Sequence, residues 1–123
     1  MNSTINVLAL AYLGDSIYEL YVREQLIKRG IVKVNNLQKE AVNYVSARAQ
    51  AKFLEKMLKE EILSDEEITI VKRARNNKGK SNPKNTDIIT YKHATGLEAL
   101  IGYLYLEENN KRIEELMNFI LGG

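Results

Sequence analysis

Apolar residues return at helical spacing along most of the chain, and period-two runs of β-branched residues are scarce. Ile5, Leu8, Tyr12, Ile17, Leu20 and Tyr21 predict a first helix from about residue 5 to Arg29, with Gly30 as its stop. Asn35 or Asn36 is placed to cap the next helical region, which runs to about Glu60. Leu37, Ala41, Val45, Ala49, Phe53 and Leu54 form its apolar side, and a break is expected somewhere within it. The stretch SDEE, residues 64–67, has capping-box form and opens a helix from Asp65 to about Arg75. NNKGKSNPKNTD, residues 76–87, reads as a loop. A strongly apolar helix follows from near Ile89 to about Glu107. A last amphipathic helix, Asn110 to Leu121, aligns Ile113, Leu116, Met117 and Ile120 on one face. The pattern predicts an all-α fold, with residues 1–123 as a single domain.

Composition narrows the chemistry. Among 123 residues 45% are hydrophobic, enough for a packed core. The absence of cysteine excludes disulfides and thiolate metal sites, and points to a reducing cytoplasm. A single histidine, His93, cannot build a multi-histidine zinc site. No basic residue precedes the first apolar stretch and Asp15 interrupts it, so no signal peptide is expected. No uncharged apolar run is long enough to span a bilayer, so no membrane association is expected.

Two acids stand out against this background. Three, four and seven residues from Asp15 lie Leu8, Ala11, Glu19 and Val22, which places Asp15 beside or within the apolar stripe. Glu98 is the only carboxylate between Lys92 and Glu107, in a helix that is apolar nearly all round. Burying an unpaired charge is costly, so something should compensate for each. Gly14, Gly96 and Gly102 suggest close approach of another helix or a ligand. If the two helices pack together, the acids could share one divalent ion, and hard oxygen ligands favour Mg²⁺ or Mn²⁺. The alternative is local satisfaction of each acid by an arginine, lysine or tyrosine.

The net charge of +2 hides a local excess. Lys72, Arg73, Arg75, Lys78, Lys80 and Lys84 fall within thirteen positions that hold no acid, and they account for 6 of the 18 basic residues. Such a segment suits a phosphate backbone. A solvated surface, balanced by the acidic KEEILSDEE just before it, is the plainer alternative. No aromatic residue interleaves the run, which argues against stacking on single strands. A metal held by carboxylates beside a basic patch is consistent with a metal-dependent phosphodiesterase.

The order of motifs adds a resemblance. LAYLGDSIYELYVREQL, residues 10–26, resembles the signature helix of the ribonuclease III catalytic domain, and LEALIGYLYLE, residues 97–107, resembles a second motif of that family. LALAYLGD, VSARAQA, KRARN and PKNTDIITYKHATGLEALIGYLYLE are similar, in that order, to the Mini-III branch, which lacks a separate double-stranded-RNA-binding domain. The resemblance spans nearly the whole chain. It implies a ribonuclease III-type helical endonuclease domain, a homodimer, and Mg²⁺-dependent cleavage of double-stranded RNA, with Mn²⁺ as a substitute. It further implies maturation of the large-subunit (23S) ribosomal RNA precursor.

On this resemblance Asp15 and Glu98 are the catalytic, metal-binding acids. The wider family has two more acids, where this chain has Ala11 and Thr95; both departures look like Mini-III. The Thr95 hydroxyl and Glu19 are candidates to support the site, with an ion pair as the alternative for Glu19. Lys72, Arg73, Arg75, Asn76, Lys78, Lys80, Lys84 and Asn85 are the expected RNA grip. His93 is expected to be structural. Two rivals stay open: a non-catalytic RNA-binding scaffold of the same fold, and a helical protein-interaction domain.

Overall fold

A computed structural model describes residues 5–77 and 87–122. Six helices make up the fold: α1 (Val7–Lys28), α2 (Val34–Val45), α3 (Ala47–Lys59), α4 (Asp65–Arg75), α5 (Ile88–Leu106) and α6 (Asn110–Leu121). No strand occurs among the described residues. Lys78, Lys80, Lys84 and Asn85, and most of the predicted loop, lie outside the described residues.

Side-chain caps fix most of the boundaries. The Asn6 side chain accepts from the Leu8 amide at 2.7 Å, and α1 closes at Arg29 before Gly30, whose φ of 93° suits glycine. Ser64 and Glu67 form the expected capping box: Glu67 N donates to the Ser64 hydroxyl and Ser64 N to the Glu67 carboxylate. Asp87 caps α5 and Asn109 caps α6.

The break in the second helical region falls at Ser46. Its backbone is extended, with ψ of 154°, and its hydroxyl accepts from the Ala49 amide to start α3. The cap expected at Asn35 or Asn36 is not used: α2 begins after Lys33 with no side-chain cap, and both asparagines sit inside its first turn.

The core is built around α5, which buries residues from Ala94 to Leu104 apart from the half-buried Glu98. Helices α1, α3 and α4 pack most extensively against it. The first helix turns a different stripe inward than its most prominent apolar residues suggest. Val7, Leu10, Ala11, Gly14, Ile17 and Tyr18 are buried, whereas Leu8, Tyr12 and Leu20 are exposed. Helix α2 buries no residue fully and leans on the core through Leu37, Ala41, Tyr44 and Val45.

Glu67 pairs with Arg112 through two contacts of 2.7 and 2.8 Å, and Arg112 also donates to the Ile62 carbonyl. Burial pushes the Glu67 carboxyl up, but the Arg112 and Ser64 hydrogen bonds outweigh it and its pKa is lowered. The pair ties α6 to the start of α4. No helix among the described residues is long and apolar enough to cross a membrane.

Candidate active site

The site begins with a backbone contact. A Cβ at Gly14 would lie 1.7 Å from the Glu98 carbonyl oxygen, and one at Gly102 would lie 2.0 Å from the Leu10 carbonyl oxygen. Helices α1 and α5 therefore cross with main chain against main chain, at the residue next to Asp15 and at Glu98 itself. Glycine is required at both positions by contact.

This crossing brings the two carboxylates together. Burial raises the Glu98 pKa to about 8, reinforced by a hydrogen bond and Coulomb repulsion from Asp15 and by the charge of Glu19. The burial is unequal. Asp15 is exposed on the rim, so of the two placements its spacing allowed it lies beside the apolar stripe and not within it, while Glu98 is half-buried on the floor. The cost of desolvation therefore falls on Glu98.

Neither acid has an ion-pair partner among the described residues. Tyr18, whose pKa is pushed up by burial and by Glu98, donates its hydroxyl to the Tyr44 carbonyl instead. Local neutralisation by arginine, lysine or tyrosine is thus not seen there. Two facing carboxylates without a cation suit a hard divalent ion. They supply only part of a shell, since no group of three or more His, Cys, Asp or Glu among the described residues is placed to hold a metal.

The other candidates are placed as follows. Glu19 forms an ion pair with Arg23 at 3.3 Å while remaining near enough to act on Glu98. Thr95 is buried and donates its hydroxyl to the Tyr91 carbonyl at 2.9 Å, within its own helix. His93 Nδ1 is 2.9 Å from the Ile89 carbonyl oxygen. Lys72 and Asn76 are exposed at the end of α4, Arg73 donates to the Ile5 carbonyl, and Arg75 is half-buried. The stem of Arg75 lies against Gly96, which is ~200° around α5 from Glu98. The basic end of α4 and the carboxylate pair therefore occupy different faces of α5.

Comparison with known proteins identifies the family. The model of the Ribonuclease III domain matches residues 8–109. The chain is 44% identical over 117 residues to Mini-ribonuclease 3 of Streptococcus pneumoniae, covering 95% of this chain and 91% of that protein. It is 52% identical over 112 residues to Mini-ribonuclease 3 of Brevibacillus brevis, covering 91% and 82%. The chain belongs to the ribonuclease III family of endoribonucleases, in its Mini-III branch. A crystal structure of a Fusobacterium nucleatum protein shares the fold, with a TM-score of 0.86 and 34% identity, covering 96% of this chain and 94% of that one.

Set within the ribonuclease III family, the two-acid arrangement has a clear physical form. Ala11 is buried beside the crossing and Thr95 is turned into its own helix, so neither position adds a carboxylate to the pair. One residue near the acids escaped the sequence reading. Gln50 is buried and acts on Glu98, lowering its pKa. The available signal was its position: Gln50 precedes Leu54 by four residues and Met57 by seven, so a polar amide sits on the buried stripe of α3.

Proposed function

We propose that the chain is a homodimeric, Mg²⁺-dependent endoribonuclease that hydrolyses both strands of double-stranded RNA in the cytoplasm. Its substrate on this reading is the large-subunit (23S) ribosomal RNA precursor. The observation that carries the proposal is the pairing of Asp15 and Glu98 across a glycine crossing, with no ion-pair partner for either among the described residues.

Asp15 and Glu98 would hold the ion, with Mn²⁺ as a substitute. When bound, Mg²⁺ supplies an acidified water and neutralises charge developing on the phosphate. Asp15, on the rim, would hold the ion from the solvent side where RNA arrives, and Glu98, on the floor, would hold it from within. The crossing at Gly14 and Gly102 fixes the separation of the backbones that carry the two acids, because main-chain atoms cannot swing as side chains do. Glu19 adds negative charge beside them that favours a cation. Lys72, Arg73, Arg75 and Asn76, on a different face of α5 from the acids, with Lys78, Lys80, Lys84 and Asn85 in the adjoining sequence, supply donors for phosphates and 2′-hydroxyls of duplex that extends past the cleavage site. Shape is then read more than sequence.

A second copy supplies the second cut. Leu8, Tyr12 and Asp15 follow one another along the exposed edge of α1, with the half-buried Glu19 one turn on, and Tyr12 is 85% exposed. A large apolar side chain in solvent one turn before the proposed catalytic acid supports an interface there, and a two-fold axis would give one site per strand.

The test is cleavage of a ribosomal precursor stem with Mg²⁺ and with EDTA, beside Asp15→Asn and Glu98→Gln. Each substitution is expected to lower the rate by at least about 100-fold in a folded protein, because the ion's charge acts directly on the transition state. Salt-sensitive duplex binding by all three proteins with no cutting by any would favour the scaffold reading.

A further inference from the structure

Gln50 closes the first turn of α3 and is 1% exposed, on the stripe that takes Ala51, Leu54 and Met57 into the core. Its Nε2 makes no hydrogen bond of ordinary geometry, and is alone in this among the buried side-chain nitrogens and oxygens of the described residues. An apolar residue of similar size would fill the same space without that loss. What the amide does face is Glu98. Helix α3 packs directly on α5, and the Gln50 side chain lies within reach of the Glu98 carboxylate, without the geometry of a formed bond.

We propose that Gln50 is a positioning residue, whose Nε2 donates to the Glu98 carboxylate and holds it turned toward Asp15 in the arrangement that binds a divalent cation. Carboxylate ligands are held in orientation by hydrogen bonds from behind. With Ala11 and Thr95 in place of acids, that hold cannot come from a larger carboxylate cluster. A neutral amide suits the task better than lysine or arginine at this position. A cationic donor would pair with Glu98 and compete with the metal, whereas an amide orients the carboxylate and leaves its charge available. Ionised Glu98 in turn gives the buried N–H a charged acceptor.

This role rests on the metal-dependent reading of Asp15 and Glu98. It is tested by Mn²⁺ titration, followed by electron paramagnetic resonance, of the full chain, Asp15→Asn, Gln50→Leu and Gln50→Met. The wild type should show a Mn²⁺ site that Asp15→Asn removes. Both Gln50 variants should keep the wild-type circular dichroism spectrum and melting temperature or exceed it, and bind Mn²⁺ about 10-fold more weakly. At limiting Mg²⁺ they should lower kcat and leave KM for duplex RNA unchanged, and saturating Mg²⁺ should restore much of the rate. Wild-type Mn²⁺ affinity in either folded Gln50 variant would overturn the positioning role and leave the two-acid site standing. Absence of an Asp15-dependent Mn²⁺ site in the wild type would overturn the metal site itself, and the role of Gln50 with it.

Discussion

At the scale of residues, the acids differ more in environment than in chemistry. Asp15 sits in solvent and Glu98 sits on the floor, where burial and Asp15 raise its pKa from 4.5 to about 8. The metal-free folded state therefore binds a proton at Glu98 more tightly than the unfolded chain does. That stabilisation is complete below about 4.5 and is lost as pH rises through about 8. In EDTA, the melting temperature should fall by at least about 3 °C between pH 5 and pH 8.5. Glu98→Gln, which cannot ionise, should flatten that part of the curve. A fall of equal size in the variant would place the titrating group elsewhere. The spacing of Asp15 and Glu98 on two apolar helices was readable. The division of burial between them was not, because it depends on the angle at which α1 meets α5.

At the scale of elements, glycine spacing sets the site. A methyl group at Gly14 would collide with the Glu98 carbonyl, and no rotamer change relieves a clash with main chain. Gly14→Ala gains roughly 1 kcal/mol of helix propensity but should lose more than about 3 kcal/mol through separation of α1 from α5. Gly96→Ala is the control. Its new Cβ would sit 3.2 Å from Val71 Cγ1, a side-chain atom that can shift, so a cost within about 1 kcal/mol is expected. Urea unfolding of the two variants measures the difference, and similar midpoints would contradict so close a crossing. The same scale shows why some boundaries could be read and others could not. Ser64 and Glu67 satisfy each other's backbone and leave a sequence signature. Ser46 makes a half-cap with no acid three residues on, and Lys33 makes none, so the bend between α2 and α3 and the start of α2 are set by packing. Likewise, apolar side chains alone could not tell the buried stripe of α1 from its exposed edge.

At the scale of the whole molecule, that exposed edge is a feature a single copy leaves unexplained. Leu8 and Tyr12 stand at i and i+4 on α1, Asp15 follows at i+7, and all three are exposed. An interface over Leu8 and Tyr12 would bury apolar surface and bring Asp15 to its margin, where RNA could still reach it. The proposed dimer is therefore coupled to the site by one helix face. Tyr12→Glu isolates this coupling. The residue is 85% exposed in the single chain, so the substitution should leave the fold of each protomer intact while placing two like charges at the seam. Sedimentation velocity at micromolar concentration should show a dimer for the wild type and a monomer for the variant. Circular dichroism should match between them. Cleavage of the precursor stem should fall, and residual products should be nicked on one strand more often than cut on both. A Tyr12→Glu protein that remains dimeric would move the interface to another face and leave Tyr12 as an RNA contact to be tested by duplex binding.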